Sequence, residues 1–191
     1  GELLDSVYLA DQHGIRVGHP EWVKLAQLAD WVAAHWDQPD EGIWETRGGR
    51  QNFTYGRLMC WVALDRGAKL AELQGSKSYA QQWRVIADEI KADILANGVD
   101  SRGVLTQRYG SDALDASLLL VPLVRFLPPD DPRLRATVLA IADELTEDGL
   151  VLRYRVDETD DGLSGEEGTF TICSFWLVSA LVEIGEVSRA R

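Results

Sequence analysis

Basic residues are in short supply. Nineteen lysines and arginines face 31 aspartates and glutamates over 191 residues, giving a net charge of −12 and a pI near 4.6. A surface that acidic repels phosphate backbones, which argues against nucleic acid as a partner. Cysteine is scarce as well. Cys60 and Cys173 both sit inside apolar stretches and form no metal-ligand pattern, so neither a metal site nor a cofactor is expected. The two thiols read as buried and reduced, which suits a cytoplasmic protein better than a disulfide-bonded one. No run approaches the ~20 apolar residues needed to span a bilayer, and no secretory leader is expected.

What is present suits one globular domain with a real core: 46% of residues are hydrophobic and 26% charged. Almost every stretch reads as helix. Pro20 opens a segment in which Trp22, Leu25, Ala26, Ala29, Val32, Ala33 and Trp36 make one apolar stripe. Ser76 caps a second, with Tyr79, Trp83, Ile86, Ile90 and Ile94 on one face and Lys77, Arg84, Asp88 and Lys91 off it. A third is expected from Asp131-Pro132 to a stop at Gly149.

Three other segments are apolar on every side, which predicts burial on every side. They are Phe53 to Leu73, Asp112 to Phe126 with a kink at Pro122, and Thr169 to Ile184 with a stop at Gly185. Their starts recur every ~55–60 residues, a two-helix repeat of wet-faced and buried helices. The expected fold is therefore all-α, an inner ring of buried helices sheathed by an outer ring of amphipathic ones. Only three inner helices are complete, and both ends of the chain fall within helical patterns. The expectation is one partial domain over residues 1–191, an incomplete toroid lacking early helices and the last inner ones.

The loops entering the buried helices, residues 37–51, 101–110 and 152–167, are long and rich in Arg, Glu and aromatic residues. Helices that run the same way would gather all three at one end, where function tends to sit. Seven tryptophans are many for this length, and flat indoles make platforms for the apolar faces of sugar rings. Six of them read as core. Trp44 is the exception, because Glu45 follows it and Arg47 and two glycines come next. A general acid must hold its proton near neutral pH, and an apolar neighbour favours that by disfavouring the charged carboxylate. Asp112 and Asp115 read as capping acids at a helix start.

The stretch Pro39-Asp-Glu-Gly-Ile-Trp-Glu-Thr-Arg-Gly-Gly49 resembles the bacterial branch of glycoside hydrolase family 15. So does Asn52-Phe-Thr-Tyr-Gly-Arg-Leu-Met-Cys-Trp-Val-Ala-Leu-Asp-Arg66. Tyr109 to Ser117 and Glu167 to Leu177 are similar to later stretches of the same family, in the same order. The resemblance implies an (α/α)6 toroid that cleaves α-glucosidic bonds with inversion, using one Glu as acid and another as base. It maps the acid onto Glu45 and lines the pocket with Trp44, Arg47, Arg153, Tyr154, Glu166 and Phe170. It also implies a base in a motif beyond Arg191, and an upstream Trp-x-Arg-Asp segment that this chain does not contain. Glu167, a carboxylate in the third loop, is the alternative candidate base.

The expected substrate is trehalose or an α-glucan oligosaccharide, for a hydrolase of trehalase or glucoamylase type whose isolated segment is inactive. A non-catalytic helical array with weak sugar binding is the competing reading, and a helical-repeat interaction protein is a third. Exposed apolar edges predict self-association.

Overall fold

A computed structural model describes residues 1–159 and 168–191. The chain divides into two compact units. Unit 1 comprises Gly1–Gln38 and Arg57–Leu95, and unit 2 comprises Pro39–Gly56 and Ala96–Arg191.

Unit 1 is built from α1 (Glu2–Gln12), α2 (His19–His35), α3 (Thr54–Leu73) from Arg57 onward, and α4 (Lys77–Asn97) up to Leu95. Pro20 lies in the first turn of α2, where its missing N–H costs nothing. The helix buries Trp22, Leu25, Ala26 and Ala29, the first four members of the expected stripe, whereas Val32, Ala33 and Trp36 are only half-buried. Trp31 departs from the core reading. It is 63% exposed and stacks on His35, one turn on, at 4.6 Å. Arg57 of α3 donates to the carbonyls of Trp36, Asp37 and Gln38, which lie just past α2 and have no helical partner.

In α4 the buried set is Ala80, Trp83, Ala87, Ile90 and Ile94. Trp83 is fully buried, donates its indole N–H to Asp30 at 2.9 Å and meets the Trp22 ring edge-on at 6.0 Å. Gly67 of α3 is small for a reason: a Cβ there would meet the Trp83 ring at 3.2 Å. As expected, α3 is buried around most of its girth, with Leu58, Trp61, Val62, Ala63, Leu64, Ala68, Leu70 and Ala71 all inside. Each large apolar side chain so buried contributes about 1.5–3 kcal/mol. The buried Arg66 is matched by Asp5 at 2.7 Å and by Asp65.

Unit 2 departs from the expected long helices. Asp112 to Phe126 holds only a 3-10 turn, Ala116–Leu119, and one turn of α-helix, α5 (Leu120–Leu123). The start is delayed by Asp115, extended at φ −144° and capping Ser117 N–H, and the end is enforced by Arg125 at φ 62°. Burial is still as expected, with Leu118, Leu119, Val121 and Phe126 inside.

The helix expected to reach Gly149 ends earlier. Asp131 caps α6 (Pro132–Glu144), and a hairpin follows, β1 (Thr146–Glu147) with β2 (Leu150–Val151). Asp148 and Gly149, at φ 48° and 80°, form its two-residue turn, so Gly149 ends no helix.

The last helix, α7 (Thr171–Glu183), stops at Gly185 as expected. Glu186 N–H bonds Leu181 O and Gly185 N–H bonds Val182 O, the double closure that a left-handed glycine permits. It packs on β2, the 3-10 turn and α5. Its expected burial all round is not met: Cys173, Ala180 and Leu181 are inside, whereas Ile172, Phe175, Val178 and Val182 are 44–66% exposed. The described residues cover one face of a helix that is apolar on all of them. No helix among the described residues is long and apolar enough to cross a membrane.

Candidate functional site

The site is assembled within unit 2 from the three loops. The first is closed at its base by an antiparallel bridge, Asp40 and Gln51 exchanging backbone bonds of 2.9 and 2.8 Å. Inside it, Asp40 accepts from Gly42 N–H at 2.6 Å. Gly42, at φ 70°, lies so close to Phe53 that a Cβ would meet the ring at 3.1 Å. The second loop is tied to the first by Thr54 N–H to Gln107 O and Tyr109 N–H to Asn52 O, 2.9 and 3.0 Å. The third is tied to the 3-10 turn by Ala116 N–H to Arg153 O, 2.9 Å. The described parts of the three loops thus gather within unit 2.

Within this frame Trp44 is the hub. Its indole N–H donates to both carboxylate oxygens of Asp115 at 3.0 Å. The Arg153 guanidinium lies over its ring at 5.4 Å, and also 5.3 Å from the Tyr154 ring. Phe170 meets Trp44 edge-on at 6.0 Å and Trp176 lies tilted at 6.4 Å. Arg153 and Tyr154 are delivered by the hairpin, because only Leu152 separates them from β2. Val151 of β2 is held by Phe170 N–H on its carbonyl and by Ser174 Oγ on its N–H, both at 3.0 Å. An indole face, a guanidinium and a phenol then sit side by side. Trp44 and Arg153 are half-buried, whereas Tyr154, expected to line a pocket, is buried beneath Arg153 and presents no ring to a ligand.

Glu45 and Arg47 sit on the same loop and are exposed, with Thr46 buried between them. The apolar enclosure expected for Glu45 beside Trp44 is therefore not formed by the described residues. Its backbone is unusual, however: φ is 48°, a left-handed conformation that costs a non-glycine residue about 1–2 kcal/mol. Such strain persists only where the surroundings over-determine it, commonly at functional sites. Glu166 and Glu167 lie outside the described residues.

Asp115 is more than the cap that its sequence position suggests. Fully buried, it accepts from Ser117 N–H at 2.8 Å and from Gln107 Nε2 at 3.2 Å as well as from Trp44. Burial pushes its carboxyl above the ordinary range, and these hydrogen bonds pull the other way. Gln107 in turn accepts from Thr159 Oγ1 at 3.1 Å. Neither Gln107 nor Trp176 is legible in the sequence as part of the site, since one sits in a polar loop and the other in an apolar run. Nearby Cys173 is a free, fully buried thiol pushed up to about 12, first by burial and then by the Asp115 charge. It stays protonated near neutral pH and is no nucleophile.

The comparisons with known proteins agree with one another. The family model for glycosyl hydrolases family 15 matches residues 1–188. Trehalases of Mycolicibacterium smegmatis and Mycobacterium tuberculosis are 72% and 73% identical over the whole of this chain. The chain spans only 29% and 28% of their lengths. A solved glycosidase in complex with glucose, 26% identical, superposes on 98% of this chain and 48% of its own with a TM-score of 0.82. A bacterial glucoamylase complexed with acarbose, 14% identical, gives 0.73 over 98% of this chain and 33% of its own. The latter likeness concerns the fold alone, and it agrees with an all-α, incomplete (α/α)6 toroid.

Proposed function

The chain belongs to glycosyl hydrolases family 15, and from that membership we propose that it is part of the catalytic domain of an inverting, exo-acting α-glucoside hydrolase of the trehalase type. The observation that carries the reading is the 72–73% identity to two mycobacterial trehalases along the entire chain. Relatedness is wider than trehalose: an isomaltose glucohydrolase of Kribbella flavida is 31% identical over 78% of the chain. The substrate is accordingly trehalose or, as the second choice, an α-glucan oligosaccharide of the glucoamylase type.

In this reading Glu45 is the general acid. Its carboxyl proton passes to the glycosidic oxygen as the bond to the anomeric carbon breaks. A water molecule attacks that carbon from the opposite face and gives its proton to a base. Inversion needs the two carboxyl groups about 6.5–9.5 Å apart, with the water between. We assign the base to sequence beyond Arg191, with Glu167 as the alternative. Trp44 supplies the platform, Arg153 and Arg47 donate to sugar hydroxyls, Phe170 and Glu166 complete the wall, and the buried Tyr154 supports Arg153 from behind. The Trp44 and Arg153 contact supports this assignment, as does the left-handed backbone of Glu45.

The isolated chain is inactive in this account and associates with itself through exposed apolar side chains such as Phe175 and Val182. The acidic charge disfavours nucleic acid, and two cysteines outside any disulfide suit the cytoplasm. Glucose release from trehalose, maltose and isomaltose by this chain tests the reading, with Glu45→Gln as control. No release is expected. Release that depends on Glu45 would place the base within these residues and make Glu167 the next substitution. Weak sugar binding without turnover at full length would favour the non-catalytic array.

A further inference from the structure

Building on the role proposed for Glu45, we infer that Asp115 is the positioning residue of the acid-bearing loop: its buried carboxylate holds the Trp44 indole, and with it the peptide that carries Glu45. Four observations lead there. First, capping a 3-10 turn of four residues needs one acceptor oxygen, which serine or asparagine supplies without burying a charge. Asp115 instead brings two oxygens, and Trp44 Nε1 is equidistant from both at 3.0 Å. Second, Ser117 N–H, Gln107 Nε2 and the Trp44 indole are all donors, and an acceptor-only carboxylate suits that set.

Third, the same turn sets both sides of the sugar-binding wall. The Asp115 side chain fixes Trp44, and the next residue's N–H fixes the Arg153 carbonyl. Fourth, Glu45 sits in a strained left-handed backbone, next in sequence to the residue that Asp115 holds. The loop is pinned at its base by the Asp40 and Gln51 bridge and at Trp44 by Asp115. Release of the second pin lets the turn at Glu45 relax. Asp115 touches no substrate atom in this account; it acts through Trp44.

The test uses the full-length protein and two readouts. In Asp115→Ala, backbone hydrogen exchange of residues 40–51 should quicken about tenfold or more, with α2 and α4 unchanged. For trehalose, kcat should fall about 10- to 100-fold, as loss of alignment at a reacting group does, while KM moves less than about threefold. Asp115→Asn should recover part of that loss. Its single oxygen still accepts from Trp44 and Ser117, and Gln107 can turn its amide to meet the new Nδ2, the Thr159 hydroxyl then accepting from Gln107 Nε2 instead of donating to Oε1. Unchanged exchange in residues 40–51, or an unchanged kcat, would overturn the inference.

Should Asp115→Ala quicken exchange everywhere, Trp44→Phe decides. It removes the donated hydrogen bond and keeps a ring, so the same local quickening supports the inference and its absence overturns it. A full-length protein that hydrolyses no α-glucoside would remove the proposed function, and the exchange readout would still decide whether Asp115 holds the loop.

Discussion

The two units of this chain solve different problems. Unit 1 is regular: its helices bury stripes at three- and four-residue steps, and its largest buried side chain, Trp83, is fixed by packing and one hydrogen bond. Unit 2 is irregular, with a one-turn helix, a two-residue hairpin and long loops pinned by scattered bridges. All the described non-glycine residues with left-handed backbone, Glu45, Arg125 and Asp148, lie in unit 2. So do Trp44, Asp115, Arg153, Tyr154 and Phe170. Local consistency marks the part that packs, and local departure marks the part proposed to act.

Glu45→Gln in the full-length protein should lower trehalose turnover by about 100- to 10,000-fold, the usual contribution of a general acid, with no change in thermal stability. A melting temperature that fell with the activity would make Glu45 a structural residue. Trp83→Ala tests the other side. Removing a fully buried indole should cost about 3–5 kcal/mol in denaturant unfolding. A cost below about 1 kcal/mol would mean that the packing of unit 1 is not what holds it.

Two smaller effects sharpen the contrast within unit 2. Asp131→Ala should cost about 1 kcal/mol at neutral pH by removing the cap of α6. The Arg133 side chain holds the Asp131 carboxyl below its ordinary range, so its contribution is present above the ordinary aspartate pKa. It is lost as pH falls through the lower folded value, and the gap between wild type and variant should close in acid. Glu45→Gly should raise stability by about 0.5–1 kcal/mol while removing activity, because glycine accepts φ 48° without strain. A destabilised Glu45→Gly would show that the backbone there is not strained.

Helices α2, α3 and α4 are legible because their burial follows a period that sequence carries locally. The boundaries in unit 2 are not, for reasons visible at particular residues. Asp148-Gly149 fits a helix stop and a hairpin turn equally well on paper, and only the pairing of Thr146 with Val151 decides between them. The apolar run from Leu118 to Val121 reports burial correctly and says nothing of helix length, which Asp115 and Arg125 set from either side. Trp44, Arg153, Tyr154 and Phe170 stand out through family resemblance, and their meeting is a property of the fold. The Asp115 bond to Trp44 spans 71 positions, and no local pattern announces it. Trp31 and Trp176 read as core because a tryptophan's apolar bulk favours burial, yet Trp31 stacks on His35 and Trp176 faces Trp44.

The central claim, that Glu45 donates the proton to the departing sugar, is tested most directly by comparing two substrates on Glu45→Gln in the full-length protein. Trehalose needs its leaving oxygen protonated, whereas α-glucosyl fluoride expels fluoride with little acid assistance. Trehalose hydrolysis should collapse while fluoride hydrolysis stays within about tenfold of wild type. Equal loss on both substrates would contradict the claim and assign Glu45 to another role.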